Sequence, residues 1–403
     1  MGRLSAVERD ALAADQRRFH DAVGAIRRRP VSGPFIVLMN SSPDLAARFA
    51  HLGHYFHARG QADESVLPLR VRAFISLVGS RALDAPYEWG AWVNWALDAG
   101  VPQDKVDAIR EGKTPAGLTA EEALLIDFCT QLVSGNHRLS EPTFKAALVQ
   151  FGVQGLVELA VTLGYFAMIA LPLNAFESEM SSEQKGLRKP FAPLLVKGLP
   201  WTDSATTRAD LPPLSGNSAA SPRIALLATH EDVAPEHQHF LDRIVRTRGG
   251  IFGVFQVLLH TPDAAERIAH IGAFFLYESI LPPAIRALIG LIAARELDSP
   301  YTWHASVTAA RVAGIAGGLI EALEHGKTLS GVTVPQQVLL DFCYQLLRGN
   351  HHVDDTTYRA AVAQWGIAAS VQIAATLGYM VMMSVVANVF DIAPQDDDSR
   401  PAL

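Results

Sequence analysis

The chain of 403 residues is long enough for two domains of ordinary size, each with its own buried core. Hydrophobic residues make up 49% and charged residues 19%, which is typical of a compact globular protein and argues against disorder. With a net charge of −7, the sequence gives no electrostatic reason to expect nucleic acid or an anionic membrane as a partner.

The N-terminal segment and the cysteines indicate the cellular compartment. Residues 1–29 are rich in Arg, Asp and Glu and lack the apolar stretch of a secretory signal. The two cysteines, Cys129 and Cys343, cannot form a disulfide framework. We therefore predict a reduced, cytoplasmic protein, and we interpret both thiols as small buried hydrophobes.

Along the chain, apolar residues recur at spacings of three and four, the period of a helix, and strand-type alternation is nearly absent. The expected helix signals are Pro43 and Pro262 near helix starts, Ser140 and Asp354 as N-caps, and Gly100 and Gly314 after helix ends. The pattern predicts an all-α fold.

Two segments, residues 157–176 and 371–389, are apolar over nearly the length of a membrane span. Each is interrupted by Gly, Thr, Asn and a Glu or Gln. We predict that both are buried core helices and that the protein does not enter a membrane.

The second half of the chain repeats the first at an offset of 214 residues. The matching stretches are PYEW at 86–89 with PYTW at 300–303, DFCTQL at 127–132 with DFCYQL at 341–346, GNH at 135–137 and 349–351, and TLGY at 162–165 and 376–379. Asn174 and Phe176 match Asn388 and Phe390. Roughly 40% of the aligned positions are identical, which indicates a duplication.

The duplication predicts the domain organisation. Repeat one covers residues 1–185 and repeat two covers residues 224–395. A proline-rich linker at 186–223 and a flexible tail at 396–403 complete the chain.

Several motifs occur together in each repeat: a Pro-x-x-x-Arg helix, a Tyr-x-Trp stretch, an Ala-Gly pair and a Gly-Tyr helix ending in Asn-x-Phe. In combination they resemble the carboxymuconolactone decarboxylase family, which includes the alkylhydroperoxidase D-like enzymes. The resemblance covers about 16–177 and 238–391. It implies two tandem alkylhydroperoxidase D-like helical domains that form an intrachain pseudo-dimer, with pockets between neighbouring domains.

The residues on which the family's chemistry depends are replaced in both repeats. The glutamate position is Ala73 in repeat one and Ala287 in repeat two, and the histidine position is Trp92 or Ser306. The two positions of the peroxidase Cys-x-x-Cys pair hold Ala85 and Glu88 in repeat one and Ser299 and Thr302 in repeat two. A thiolate mechanism needs a base and a resolving thiol, so hydroperoxide reduction by that route is not expected.

The two repeats replace these residues differently. In repeat two, Ser306 and Thr302 are small and polar, and we expect them to leave an open pocket. The expected frame of this pocket is Arg286, Tyr301 and Trp303, together with Thr302 and Ser306. An arginine beside such a cavity suits a carboxylate ligand. The alternative for Arg286, and for its counterpart Arg72, is a structural ion pair.

In repeat one, we expect Trp92, with Trp89 and Trp95 nearby, to fill the corresponding site largely. Glu88 stands next to these tryptophans, and burial there would raise its pKa, as a general acid requires. The alternative is a surface or capping glutamate. Arg72, Trp89 and Trp92 complete the candidate ligand contacts of this repeat.

Histidines supply further acid–base candidates. His304, two residues before Ser306, points away from it on a helix and either serves a neighbouring domain or faces solvent. His137 and His351 recur in both repeats and predict a helix-capping role. His51, His54 and His57 share a helix face, but no fixed acidic or cysteine partner accompanies them, so we predict no metal site.

Two functions remain open at this stage. The first is cofactor-free lyase or isomerase chemistry on a small carboxylated or lactone-like compound, a substrate class implied by the resemblance. The second is a non-catalytic ligand-binding or scaffolding protein that keeps the fold and has lost the chemistry. The resemblance also implies further helix–helix interfaces, so we expect a homo-oligomer, most simply a trimer of two-domain chains.

Overall fold

A computed structural model describes residues 2–57, 65–178, 214, 221–327, 329 and 331–394. Over these ranges the chain is all-helical, with no strand. The first half contains α1 (Ala14–Arg27), α2 (Pro34–Met39), α3 (Pro43–His57), α4 (Leu69–Ala82), α5 (Pro86–Asp98), α6 (Gln103–Arg110), α7 (Ala120–Cys129) and α8 (Glu141–Ala175). The second half contains α9 (Gln238–Arg248), α10 (Val254–Leu258), α11 (Pro262–Ala273), α12 (Pro283–Glu296), α13 (Pro300–Val312), α14 (Gly317–Glu324), α15 (Val334–Leu347) and α16 (Asp355–Val389).

Each helix of the first half thus has its counterpart eight helices later. Most of the predicted linker at 186–223 and all of the predicted tail at 396–403 lie outside the described residues. The helix signals are confirmed: Ser140 accepts a hydrogen bond from the backbone N–H of Thr143, and Asp354 accepts one from Thr357. Helices α3 and α11 begin at Pro43 and Pro262.

The longest helices, α8 and α16, are each bent at a glycine. Gly152 has φ 68° and Gly366 has φ 78°, a left-handed conformation that strains residues with a Cβ atom. Both helices are long and apolar enough to cross a membrane by length and composition, but the most apolar window of each is entirely buried inside the structure. This burial supports the interpretation as core helices.

The halves pack on each other through α8 and α16, which cross at Gly164 and Gly378, two residues that occupy matching positions. A second pair of contacts is also reciprocal. Arg48 Nη1 donates to the carbonyl of His270 at 2.9 Å, and Arg267 Nη1 donates to the carbonyl of His51 at 2.7 Å. The same surface of each half therefore contacts the other half, as in an isologous interface.

The residues repeated in the two halves fix helix ends. His137 and His351 have φ of 60° and 57°, and their Nδ1 atoms lie 2.8 and 2.9 Å from the carbonyls of Leu132 and Leu346. This is the helix-capping contact predicted from the sequence. Asn174 and Asn388 donate to the carbonyls of Leu83 and Leu297 at 3.0 and 2.8 Å, and so join the end of the core helix to the end of α4 or α12.

Candidate functional site

The expected open pocket of repeat two is not found at Ser306. Its side chain is 1% exposed, and its Oγ lies 2.5 Å from a Cβ atom built on Gly290, beside Met380. The hydroxyl has no hydrogen-bond partner among the described residues. Ser306 faces the close approach of α12 and α16, and a small side chain at this position permits that approach.

Thr302 lies in a buried polar group rather than at a cavity. It is 2% exposed, and its Oγ1 lies 3.1 Å from Ser299 Oγ and 3.0 Å from Ser384 Oγ. Ser299 and Ser384 both donate to Thr302 Oγ1, so the three hydroxyls form a buried polar group between α13 and α16. Trp303, on the same helix, is 7% exposed and belongs to the core.

The remaining candidates of α13 are less buried. Tyr301 places its hydroxyl over Gly253 and 3.4 Å from the backbone N–H of Val254, so it holds the start of α10. Tyr87 approaches Gly33 in the same way in repeat one. His304 is half-buried and its backbone carbonyl accepts a hydrogen bond from Thr308.

The two equivalent arginines bind backbone carbonyls. Arg72 donates from Nη1 to the carbonyl of Phe56 at 2.7 Å, and Arg286 donates to the carbonyls of Phe275 and, at 2.7 Å, Leu276. Arg72 thus binds the last turn of α3, and Arg286 binds the turn that follows α11. These carbonyls lie at the C-terminal, negative end of a helix, where a guanidinium is favourable.

In repeat one, Trp92 lies in a buried aromatic group. It is 1% exposed, and its ring centroid lies 5.0 Å from Trp95 and 5.3 Å from Phe166. Its indole Nε1 is buried without an acceptor among the described residues. Trp89 is 4% exposed and is part of the same core.

His57 packs against this aromatic group. Its ring centroid lies 4.9 Å from Trp92 and 5.6 Å from Trp95, and its Nδ1 lies 2.5 Å from the carbonyl of Gly53. Because a carbonyl can only accept, Nδ1 carries the proton and Nε2 is the acceptor in the neutral ring. Burial, and then the nearby charge of Arg27, hold the pKa of His57 well below its usual value.

Two further groups lie beside His57. The Tyr165 ring centroid is 6.3 Å from that of His57, and burial raises the pKa of the Tyr165 hydroxyl. Burial lowers the pKa of Arg27, whose charge interacts with Tyr165 and with Glu88. Glu88 is 5% exposed, so the alternative of a surface glutamate is excluded by the structure.

The repeat-one cluster of His57, Glu88, Trp92, Arg27 and Tyr165 combines three chemical properties. A neutral imidazole offers a proton acceptor, a guanidinium offers a cation, and a buried indole offers a hydrogen-bond donor. Repeat two lacks this combination, because Leu276, Thr302 and Ser306 stand at the positions of His57, Glu88 and Trp92.

Metal and thiol chemistry receive no support from the geometry. Over the described ranges, no group of three or more His, Cys, Asp or Glu side chains is placed to hold a metal ion. Cys129 and Cys343 are fully buried, and burial raises the pKa of both thiols. Such thiols are poor nucleophiles.

Sequence reasoning identified Glu88, Trp92 and Arg72 but missed the contributions of Arg27 and Tyr165. It considered His57 only as a metal ligand. The sequence signal that could have identified His57 as a functional candidate is a difference between the repeats, since His57 and Trp95 are replaced by Leu276 and Ala309 in repeat two.

No family model, curated protein or solved structure matches the chain.

Proposed function

We propose that the chain is a carboxymuconolactone decarboxylase-like protein with a cofactor-free lyase or isomerase activity in repeat one. The substrate class is a small carboxylated or lactone-like compound. The observation that carries the proposal is His57, a half-buried imidazole whose Nδ1 is fixed by the carbonyl of Gly53 and whose pKa is lowered by desolvation and by the nearby charge of Arg27.

The chemistry requires a proton acceptor and a stabiliser of developing negative charge. His57 Nε2 takes a proton from the carbon next to the substrate carbonyl. Arg27 and the Trp92 indole N–H stabilise the resulting enolate oxygen. Return of the proton to another carbon completes an isomerisation. In a decarboxylation no carbon-bound proton is removed first: the bond to the carboxylate breaks, its electron pair forms the enolate as carbon dioxide leaves, and a proton taken from solvent through His57 Nε2 is added to the carbon.

In this proposal repeat two has a structural role and no catalytic site of its own. Its matching residues are packed, since Ser306 and Thr302 are buried at 1% and 2% exposure. The reciprocal contacts of Arg48 and Arg267 support an intrachain pseudo-dimer of two alkylhydroperoxidase D-like domains. The repeat motifs are the basis for this family assignment.

For the assembly we propose a homo-oligomer, most simply a trimer, in the cytoplasm. Its partner is a small-molecule ligand, without nucleic acid or membrane. Native mass spectrometry tests the assembly, and a monomeric mass would refute it.

The second candidate is a ligand-binding or scaffolding protein without turnover. It is favoured by the burial of both residues at the family's histidine position, Trp92 and Ser306, each 1% exposed. The two candidates differ in one measurable property, namely whether a bound compound is converted.

The test is a panel of carboxylated γ-lactones, followed by absorbance and by mass spectrometry of the products. We compare the wild type with His57→Gln and with a matched control, His54→Gln, on the same helix. Loss of turnover in His57→Gln alone supports the enzyme. Because burial lowers the pKa of His57, activity should persist below the ordinary histidine pKa of about 6.5. Binding without conversion in every variant supports the second candidate.

A further inference from the structure

Charged side chains join four helix ends on one face of repeat one. Arg70, at the start of α4, contacts Glu122 at 2.8 Å and donates to the carbonyl of Gly100, which follows α5. Lys105, at the start of α6, contacts the same Glu122 at 2.5 Å. The starts of α4, α6 and α7 and the end of α5 therefore lie together on this face.

The equivalent face of repeat two has lost these charges. Helix α12 packs against α13, α14 and α15, as α4 packs against α5, α6 and α7, so the same helix ends lie together. The positions of four charged residues in repeat one hold uncharged residues in repeat two. In the order of the chain, Arg70, Asp98, Lys105 and Glu122 correspond to Ala284, Val312, Leu319 and Gln336.

Large apolar side chains of this repeat-two face are exposed to solvent. Val312 is 77% exposed, Val334 is 73% exposed and Ile280 is 59% exposed, and each lies within four residues of a position that has lost its charge. Tyr277, three residues before Ile280, is 60% exposed. We call these four residues the repeat-two apolar face. Single exposed apolar residues are ordinary, but several at adjoining helix ends are typical of an interaction site.

The repeat-two apolar face adjoins the contact between the two halves, because Glu278, between Tyr277 and Ile280, binds Arg48 of repeat one at 2.7 Å. The segments 277–284, 311–319 and 333–337 carry two charged residues, Glu278 and Arg311. An isologous contact buries the same surface of both copies, so each charge on it is desolvated twice. A nearly uncharged face avoids this cost, which favours a second copy of the chain as the partner.

We propose that the repeat-two apolar face is a contact between two chains of this protein, packed about a twofold axis. Repeat two of one chain contacts repeat two of the other, and the charged face of repeat one stays in solvent. Because this contact joins chains in pairs, the assembly contains two chains, or six if it is combined with the trimer proposed above. The contact is independent of the activity proposed for His57.

The test is sedimentation-velocity ultracentrifugation of the full chain over a range of concentrations. The variant Ala284→Arg/Val312→Asp/Gln336→Glu copies the charges of repeat one onto the face. We expect it to have half the mass of the wild-type assembly, with self-association weakened by at least about tenfold. Val312→Asp alone, at an exposed side chain, should act in the same direction. The control Val149→Asp adds the same charge to an exposed valine of repeat one and should leave the mass unchanged.

Circular dichroism establishes that each variant is folded. A wild-type mass of one or three chains at every concentration would overturn the proposal, as would an unchanged mass in the folded triple variant. Equal loss of assembly in Val149→Asp would show that added charge, and not this face, determines the mass. A single-chain wild type that sediments with phosphatidylcholine vesicles would assign the face to a lipid surface instead.

Discussion

Gly164 of α8 lies so close to Met382 of α16 that a Cβ atom built on the glycine would stand 2.6 Å from the methionine Cγ and 3.0 Å from its Cα. The matching pair is as close: a Cβ on Gly378 would stand 2.7 Å from the Cα of Met168. Two helices that pack this closely at their crossing need residues without side chains there. The glycine of the repeated TLGY motif therefore allows the two halves to pack closely at this crossing.

We predict that Gly378→Leu destabilises the protein by about 1–3 kcal/mol or more, because the new side chain overpacks the crossing. Chemical denaturation measures the free energy of unfolding. The matched control is Gly317→Ala, since a Cβ atom there meets nothing within 4 Å. An equal effect of the two substitutions would contradict the close packing.

Glu158 accepts four hydrogen bonds in repeat one although it is 0% exposed. The donors are Tyr55 Oη at 2.5 Å, Ser65 Oγ at 2.6 Å, and the backbone N–H groups of Val66 and Leu67. Repeat two has Gln372 and Phe274 at the positions of Glu158 and Tyr55. The amide oxygen of Gln372 accepts hydrogen bonds from Ser279 Oγ and from the backbone N–H of Ile280.

We predict that Glu158→Gln costs about 1–3 kcal/mol of stability, because the buried Tyr55 hydroxyl loses its acceptor. Adding Tyr55→Phe should restore part of this loss, since the pair then resembles repeat two. A double-mutant cycle of denaturation experiments measures the coupling. Additive losses would show that the Tyr55 hydroxyl does not depend on Glu158.

Stability should decrease as the pH falls below neutrality. Burial lowers the pKa of His57, His137, His270 and His351, and lowers the pKa of His51 to about 4. These rings stay neutral in the folded state, whereas the unfolded chain binds protons near the ordinary histidine pKa of about 6.5. Their contribution is therefore complete above about pH 6.5 and decreases toward pH 4.

The pH effect can be assigned with His137→Asn/His351→Asn, because asparagine tolerates the left-handed backbone of both positions. Denaturation at a series of pH values should show a shallower slope in this variant. His325→Asn changes an exposed histidine and serves as the control. An unchanged slope in the double variant would refute the role of these two rings.

Arg223 ties the start of repeat two to repeat one. It contacts Asp391 at 2.6 Å, donates to the carbonyl of Leu139 at 3.0 Å and lies over the Phe144 ring. We predict that Arg223→Ala costs about 1–3 kcal/mol in denaturation. Arg9→Ala removes an exposed ion pair with Asp21, which solvent screens, and should cost less than Arg223→Ala. Equal costs would contradict the anchoring role.

The helical class, the duplication and the helix caps could be predicted from the linear sequence. Helical period, prolines, glycines and cap residues act over one or two turns, so their pattern is visible in a linear chain. The matching motifs also showed that His137 and Asn174 have structural roles, because their counterparts are retained where other positions diverge.

Which residues come into contact depends on how the helices pack in three dimensions. The period of a helix places Ser306 on a face of α13, but the packing of Gly290 and Met380 against it depends on two other helices. His57, Glu88 and Tyr165 come together from α3, α5 and α8, which are separated by tens of residues. Such contacts result from the packing of all surrounding side chains, which the linear sequence does not show.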